Sequence, residues 1–584
     1  MWPLASFVAR SAWETLRRFP GPLLAGAVSG ALLIQAQHEN FRGEEPFRFI
    51  LAASLGLPLG TALTLFAERP PAWLARVQAR RALAFVLTLV LVSAYAAALN
   101  ALQGHGDGYV LRFAQLSVAA HLAVAFAPFL STPTDRVART QGVWQLGRHL
   151  FLRLPLAALY ALVVFAGLAL ALGAVVQLFD VDVDSDRYFE LWIVCTFVLQ
   201  TWIFLAGIPR DFAALEQDPR YPRGLRIFAQ FVLLPLLGLY LVILYAYGVK
   251  ILLGGSLPSG WVGWLVSAAG AFGMLSLLLL FPARHGPAGR FVRRVETGFH
   301  LAILPLLGLL FVSLFVRIDA YGFTERRYFL AVLGLWLALA SVYRLKWGRR
   351  TLTWIPVSLC LVAAVTSFGP WGALSVARES QSARLTALLQ KTGTLQGPAP
   401  GSVSLVDRSE MSRILDYLVE THGKATLARW PGPNGASEAP AAFLAGRGLD
   451  YVDRYGGGAS TISFHAREQG LVEVKNYDFL LPLNVYQGAE PSPDSSRFDV
   501  RLTPSGTALE VLDRGQLRGT VSFSSALAEL EKAPTSHKEA EDPLIVSAQS
   551  GGLRLQLFIT VLHAERRSGE WAIQSATGDL LIAE

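Results

Sequence analysis

The chain has 584 residues, of which 53% are hydrophobic and only 16% are charged. Such a composition, which includes 34 Phe and 14 Trp, excludes an ordinary soluble globular enzyme. Up to residue 371 there are 31 Lys/Arg against 18 Asp/Glu, and after it 20 against 25. The cationic residues lie between long apolar runs, which indicates membrane topology rather than a nucleic-acid partner. The two cysteines, Cys195 and Cys360, exclude a disulfide scaffold and a Cys-based zinc site.

Residues 1–19 alternate Trp, Leu and Phe with arginine and glutamate, which predicts an amphipathic helix on the inner membrane surface and no cleavable signal peptide. An alternative is that this segment is only the polar head of the first span. Residues 20–372 then form the predicted transmembrane bundle, because a bilayer core requires roughly 20 apolar helical residues per crossing. Eleven windows approach that length, at 20–36, 48–66, 82–102, 110–130, 155–179, 189–208, 227–252, 261–281, 298–316, 328–343 and 352–372.

The basic residues of the connecting segments predict the orientation. Segments before the first span and after the second, fourth, sixth, eighth and tenth contain 23 Lys/Arg, whereas the alternate segments contain eight. We call these two sets the inner-side and outer-side segments. The positive-inside rule puts the inner-side segments and the N-terminus in the cytoplasm. With an odd number of spans, residues 373–584 are then extracytoplasmic.

An internal repeat covers residues 150–343, about half of the predicted bundle. The string LPLLGL at 234–239 recurs at 304–309, and LPLAAL at 154–159 is a looser copy. RYF likewise occurs at 187–189 and 327–329. We predict a helical hairpin duplicated in parallel, with chance similarity between Leu-rich helices as the alternative.

Few candidate functional side chains lie within the apolar spans. His121 is the one clearly intramembrane ionisable residue, and it is either a proton relay or a helix-to-helix hydrogen-bonding group. At the inner end of the sixth span, Arg210 and Asp211 are candidates for binding a phosphate headgroup or for catalysis, with anchoring of the loop as the alternative. A transporter would in addition need a polar cavity near His121 and Gln200 or Gln230.

An acidic outer-side loop is the weak candidate for a metal site. Asp180, Asp182, Asp184 and Asp186 alternate there, but the EF-hand pattern is not met, so a solvated acidic loop is the preferred interpretation. The sequence predicts no metal and no cofactor.

Residues 373–584 predict a soluble α+β domain with an antiparallel sheet. Helices are expected at 377–392, 409–422, 441–455 and 524–532. Alternating apolar residues predict strands, at 460–465, 471–475, 498–502, 509–512, 520–523, 544–547, 553–561, 571–575 and 580–583. His422, His465, His537 and His563 are scattered without metal-ligand spacing, and no nucleophile motif is present, so catalysis here is not favoured.

Four strings resemble a bacterial integral-membrane family known as domain of unknown function 4153. They are FLAGIPRDF at 204–212, LLGLYLVILYAY at 236–247, YGFTERRYF at 321–329 and FGPWGALS at 368–375. The resemblance implies a bacterial cytoplasmic membrane protein with an exported C-terminal domain. It implies no activity, substrate or catalytic residue.

The sequence therefore predicts a non-enzymatic scaffold, sensor or binding protein of the bacterial envelope. Its expected partners are the bilayer, anionic lipid headgroups at the arginine-rich cytoplasmic loops, and an envelope protein or ligand at the C-terminal domain. A transporter or lipid flippase is the first alternative, and an envelope-modifying transferase is the second.

Overall fold

The chain forms two compact units. A computed structural model describes residues 2–584 except for 40–44, 76–78, 102–105, 132–134, 182, 255–260, 286–288, 348–351, 396, 399–400, 402, 431–438, 453–460, 467–473, 476, 487–496, 504, 532–536, 541–542 and 568–569. The first unit comprises Met1–Lys391 with Asp416–Ala439, and the second comprises Thr392–Leu415 with Pro440–Glu584.

The first unit is helical. Its helices in the membrane region are α1 (Trp2–Arg18), α2 (Pro20–His38), α3 (Glu45–Glu68), α4 (Ala72–Ala75), α5 (Arg80–Ala101), α6 (Gly108–Phe126), α7 (Arg136–Phe179), α8 (Asp186–Ile193), α9 (Thr201–Ala206), α10 (Phe212–Gln217), α11 (Arg223–Phe228), α12 (Leu234–Gly254), α13 (Trp261–Leu280), α14 (Gly289–Tyr321), α15 (Glu325–Trp347) and α16 (Trp354–Thr366). Short π-helical segments, Val194–Gln200 and Ala229–Leu233, join α8 to α9 and α11 to α12.

The prediction of a bundle with many membrane-spanning helices is confirmed, but the number of spans is only approximate. Among the described residues, nine helical stretches are long and apolar enough to cross a bilayer. A tenth is counted if α1 and α2 form one span, although the chain bends by 98° between them. Pro20 opens α2 at this bend, where the missing N–H costs no helical hydrogen bond. The last predicted span, 352–372, is represented by the 13-residue α16, which is shorter than the other spans.

Residues 354–371 nevertheless run antiparallel along most of α15. Trp354 packs against Tyr343 with ring centroids 5.0 Å apart, and Trp336 Nε1 donates to Ser358 Oγ at 3.0 Å. Near the opposite end of α15, Tyr328 Oη donates to the Trp371 carbonyl at 2.6 Å. The extension beyond α16 is a turn, so the segment follows its neighbour helix even though only part of it is helical.

Three pairs of consecutive helical stretches cover the region of the predicted repeat, namely 136–179 with 186–206, 223–254 with 261–280, and 289–321 with 325–347. Pro155 and Pro305 lie inside α7 and α14, and Pro235 is the second residue of α12, which follows the second π-helical segment. Each proline removes one helical hydrogen bond at a related place in its hairpin. The duplication itself stays a prediction.

Beyond the bundle, the chain continues with α17 (Ala373–Lys391), α18 (Leu405–His422), α19 (Pro440–Ala445) and, between strands, α20 (Ser524–Glu531). The prediction of a helix at 441–455 was wrong in length, because only α19 forms. Gly448 adopts a φ of 69°, a left-handed conformation that ends helices and favours glycine. Residues 453–455 lie outside the described residues.

The strands are β1 (Thr461–Ala466), β2 (Phe479–Tyr486), β3 (Phe498–Leu502), β4 (Ala508–Asp513), β5 (Gln516–Ser522), β6 (His537–Ala540), β7 (Leu544–Ser550), β8 (Leu553–Arg567) and β9 (Glu570–Ala583). A six-stranded sheet has the order β2-β9-β8-β1-β6, with β7 also paired to β8, and β3-β4-β5 form a second sheet. The pairs are antiparallel apart from the parallel pair β1–β6.

The predicted α+β domain with an antiparallel sheet is therefore confirmed. Both sheets and α20 share a core that includes Phe464, Leu509, Phe523, Leu557 and Ile573. The strands expected at 571–575 and 580–583 are one continuous strand, β9. Most of the strand expected at 471–475 lies outside the described residues, and its last two residues, Val474 and Lys475, are not in a strand.

Candidate functional site

An arginine-rich cleft lies where inner-side segments of the first unit meet. Its volume is about 420 Å³, and its lining comprises Glu14, Arg17, Arg18, Glu68, Arg69, Arg81, Arg210, Asp211, Phe212 and Ala213. These residues come from α1, the end of α3, the start of α5 and the turn that leads into α10. Five arginines against three carboxylates give the lining an excess of positive charge, which favours an anionic ligand.

Arg18 fixes the floor of this cleft. Its Nε and Nη2 donate to the two carboxylate oxygens of Glu68, each at 2.8 Å. Its Nη1 and Nη2 also donate to the carbonyls of Ile208 and Pro209, both at 2.7 Å. The side chains of Arg18 and Glu68 are only 9% and 8% exposed. One buried guanidinium therefore ties α1 to α3 and to the turn after α9.

A second ion pair, between Arg69 and Glu216, lies beside the cleft. Arg69 Nη1 and Nη2 donate to the carboxylate of Glu216 at 3.0 and 3.2 Å. Glu216 lies in α10, which packs on α7, and its side chain is buried. A Cβ added to Gly142 of α7 would lie 2.9 Å from Glu216 Cγ, so only glycine lets the two helices approach this closely. Arg69 is thereby held in a fixed orientation.

The predicted pair Arg210 and Asp211 lies at the mouth of the cleft, but the two side chains have different partners. Arg210 Nη2 donates to Glu14 Oε2 at 2.7 Å, and its side chain is 65% exposed. Asp211 is the N-cap of α10, and its Oδ1 accepts from the Ala214 N–H at 3.0 Å. This carboxylate therefore has a structural role as a helix cap.

The exposed arginines of the cleft are Arg17, Arg81 and Arg210. The guanidinium of Arg17 stacks over the Trp13 ring at 4.8 Å from the centroid. Arg81 lies 3.7 Å from Glu68, and its side chain is 62% exposed. Each of the three guanidinium groups contacts a neighbouring side chain and is also accessible to solvent. All three could therefore bind an anion that enters the cleft.

Another buried charge cluster joins inner-side ends of α13, α14 and α15. Glu296 bridges Arg284 and Arg344, and all three side chains are nearly buried. His300, one turn further along α14, contacts Ser341 Oγ through Nδ1 at 3.0 Å. This cluster surrounds only a very small cavity, so its evident role is to hold three helices together.

Sequence reasoning missed Glu68, Glu216 and Glu296 as partners of the arginines. A usable signal existed for two of them, since Glu68 and Glu296 are isolated acids in otherwise basic inner-side segments. Their pairing could not be assigned, because each segment contains several arginines.

His121 occupies an exposed position on α6. Its Nδ1 contacts the carbonyl of Ser117 at 2.7 Å, one turn back in the same helix. Nearby, Gln115 donates instead to Thr366 Oγ1 at 3.0 Å and so links α6 to α16. A 380 Å³ groove elsewhere in the bundle is apolar, with Leu236, Ile243 and Phe272 among its lining residues.

The described carboxylates of the acidic outer-side loop do not form a metal site. Asp180 ends α7 in a left-handed conformation with φ 52°, and Asp184 Oδ1 accepts from the Asp186 N–H at 3.2 Å. Asp182 lies outside the described residues. Among the side chains that are described, no three His, Cys, Asp or Glu groups are placed to hold a metal ion.

A polar cluster joins Glu325, at the start of α15, to Tyr417 and His422 of α18. Tyr417 Oη donates to both carboxylate oxygens of Glu325 at 2.7 Å, and His422 Nε2 lies 3.4 Å from the same carboxylate. Burial, with a smaller effect of Arg378, lowers the pKa of His422 to about 4. The imidazole is therefore neutral at pH 7.

These contacts separate by side. Pairs between inner-side segments include Arg18–Glu68, Arg69–Glu216 and Arg344–Glu296. His38–Glu190 joins two outer-side segments. Two further contacts join an outer-side segment to α18: Tyr417 with Glu325, and the Asp107 N–H with the Glu420 carbonyl. Within the bundle, each of these ion pairs therefore joins segments of the same set.

Comparison with known proteins identifies a family and adds no activity. The family model described as "Domain of unknown function (DUF4153)" matches residues 22–397. The uncharacterized protein PM1469 of Pasteurella multocida (strain Pm70) is 26% identical over 283 residues, which are 46% of this chain and 46% of that protein. The chain thus spans about half the length of this curated relative. No solved structure matches the chain.

Proposed function

The chain belongs to the membrane-protein family DUF4153, and from that premise we propose that it is a non-enzymatic binding protein of the bacterial inner membrane. Its arginine-rich cleft binds the phosphate of an anionic lipid headgroup on the cytoplasmic side. Its C-terminal α+β domain is displayed on the opposite side of the membrane, toward an envelope ligand or partner.

The cleft is the observation that carries this proposal. Arginine binds phosphate oxygens through paired N–H donors, and charge-assisted bonds of this kind are among the stronger hydrogen bonds in proteins. Glu68 and Glu216 hold Arg18 and Arg69 in place, while Arg17, Arg81 and Arg210 line the accessible part. The cleft lies at helix ends, the depth at which lipid headgroups are found.

The carboxylates of the cleft already have hydrogen-bonding partners, which favours a binding role over catalysis. Glu68 is paired with Arg18, Glu14 with Arg210, and Asp211 caps α10. A general acid or base would instead have to reach a substrate atom in the cavity. Carboxylates that orient arginines are typical of an anion-binding site.

Lipid binding is tested by native mass spectrometry of the full chain, purified in detergent and supplied with phosphatidylglycerol or phosphatidylcholine. We expect preferential retention of phosphatidylglycerol. Each charge-assisted hydrogen bond contributes about 1.5–3 kcal/mol, so the combined variant Arg17→Gln, Arg81→Gln, Arg210→Gln should weaken retention by more than about tenfold. Arg290→Gln is the matched control, because Arg290 is an exposed inner-side arginine that does not line the cleft.

Two further arms identify the ligand. Competition by inorganic phosphate or glycerol phosphate at equal concentration would point to a soluble phosphate compound rather than a lipid. Equal retention of phosphatidylglycerol by the wild type and the triple variant would contradict the proposal.

The orientation has its own test. Alkaline phosphatase and, separately, a protein that fluoresces only in the cytoplasm are fused after Ser402, and both signals are compared in cells. We expect phosphatase activity and no fluorescence. The basic inner-side segments should remain in the cytoplasm, and the proposed topology then places the fusion point on the other side of the membrane. Fluorescence at this position would overturn the proposed topology.

A further inference from the structure

The arginines of the cleft differ in how their positive charge is offset. Three of them have a carboxylate partner of their own, in the pairs Arg18–Glu68, Arg69–Glu216 and Arg210–Glu14. Arg17 instead stacks on the uncharged ring of Trp13, and Arg81 lies 3.7 Å from Glu68, whose two oxygens already accept from Arg18. Among the described lining residues, two guanidinium groups therefore lack a carboxylate that pairs with them alone.

The accessible guanidinium groups match a phosphate monoester better than a phosphate diester. A monoester carries a charge of about −1.5 to −2 at pH 7 and has three terminal oxygens. The diester of a headgroup such as phosphatidylglycerol has one charge and two such oxygens. Arg17, Arg81 and Arg210 are exposed in the cleft, and each offers paired N–H donors. Both the charge and the number of donor groups therefore favour the monoester.

Two exposed tryptophans favour a membrane lipid as the source of this phosphate. Trp13 and Trp73 are 53% and 75% exposed. Trp13 lies in α1 beneath the guanidinium of Arg17, and Trp73 lies in α4, four residues after the lining residue Arg69. Tryptophan is enriched at membrane–water interfaces, where its ring lies at the level of the headgroups. A ligand at this depth is more readily a lipid than a soluble compound.

We infer that the cleft binds a membrane lipid whose headgroup ends in a phosphate monoester, of which phosphatidic acid is the simplest example. The inference rests on the proposed lipid-binding function and names the ligand class of that same site. The phosphate oxygens accept from Arg17, Arg81 and Arg210, while Arg18 and Arg69 stay bound to their carboxylates. The volume of about 420 Å³ is within the range of small-ligand sites, about 300–1,000 Å³.

The second charge of a phosphate monoester makes its binding depend on pH. Its second pKa is about 6, so the dianion predominates at pH 7.5 and the monoanion at pH 5. The charged groups that face the ligand are Glu14, Arg17 and Arg18 of α1, Glu68 and Arg69 at the end of α3, Arg81 of α5, and Arg210 and Asp211 before α10. None of these described lining residues is a histidine, the side chain that ordinarily changes its charge in this pH range.

The test is native mass spectrometry of the full chain in detergent, with an equimolar mixture of phosphatidic acid, phosphatidylglycerol and phosphatidylcholine that have the same acyl chains. At pH 7.5 we expect phosphatidic acid to be retained about tenfold more than phosphatidylglycerol, because one more charge-assisted hydrogen bond forms. At pH 5 this ratio should fall at least about threefold, because the monoester loses its second charge. Phosphatidylglycerol keeps one charge at both pH values and so controls for changes in the protein.

A double variant connects this preference to the cleft. Arg17→Gln combined with Arg81→Gln should remove both the preference for phosphatidic acid over phosphatidylglycerol and its pH dependence. Arg290→Gln, which changes an exposed arginine outside the lining, should retain both. Far-ultraviolet circular dichroism checks that each variant is folded, and the pH comparison on the wild type needs no variant.

The outcomes separate this inference from the function on which it rests. Retention of phosphatidylglycerol above phosphatidylcholine, without a preference for phosphatidic acid, would overturn the inference and leave the proposed function intact. Equal retention of all three lipids would overturn both. Displacement of phosphatidic acid by glycerol phosphate at equal concentration would identify a soluble monoester as the ligand and contradict the lipid assignment. A folded double variant with the wild-type preference would show that the cleft is not the site.

Discussion

Replacement of Arg18 by Gln should destabilise the membrane unit by about 3–5 kcal/mol, the range typical of removing one partner from a buried ion pair. The substitution leaves the carboxylate of Glu68, which is 8% exposed, without its bidentate partner. It also removes the donors to the carbonyls of Ile208 and Pro209. Buried acceptors without donors keep their full desolvation penalty.

The measurement is thermal unfolding of the purified protein in one detergent, followed by intrinsic fluorescence. Arg17→Gln is the matched control, since the adjacent arginine is exposed and stacks on the Trp13 ring. The double variant Arg18→Met, Glu68→Leu should recover much of the loss, because it removes both charges together. An Arg18→Gln protein as stable as the Arg17→Gln protein would show that this ion pair does not hold the helices.

Glu296 is the second position at which we expect a large effect. It is the carboxylate between Arg284 and Arg344, whose side chains are 12% and 9% exposed. Glu296→Gln leaves two buried guanidinium groups facing each other, so the cost should reach about 3–5 kcal/mol. Arg284→Gln should cost less, because it leaves a neutral Glu296–Arg344 pair.

The decisive result is which of the two variants, Glu296→Gln or Arg284→Gln, is less stable. Their unfolding temperatures are compared in the same detergent, together with Arg290→Gln as a control on an exposed arginine of α14. If Arg284→Gln proves more damaging than Glu296→Gln, charge balance does not control the stability of this cluster. Packing of the long arginine side chain would then contribute more to stability than the ion pairs do.

Hydrophobic alternation did not predict two of the strands, β2 and β6, and both lie at the edge of a sheet. β2 and β6 lie at the two ends of the path β2-β9-β8-β1-β6. β2 contains Pro482, which is tolerated at a sheet edge but argues against a strand in a sequence. β6 has the sequence HKEA, and charged residues are frequent on edge strands. Edge position is decided by the tertiary structure, so local alternation could not reveal either strand.

The sequence by itself determined that this is a membrane protein, roughly how many apolar helices it has, which family it resembles and that its C-terminal part is an α+β domain. Those features depend on hydropathy, on residue periodicity and on a few family strings, all of which are local. The partners of Arg18, Arg69 and Arg344 are separated from them by about 50 or more residues and became known only from the packing of helices. His465 and His563 are likewise far apart in the chain, and the register of β1 with β8 brings their ring centroids to 5.5 Å, because pairing distances in a sheet are independent of sequence separation.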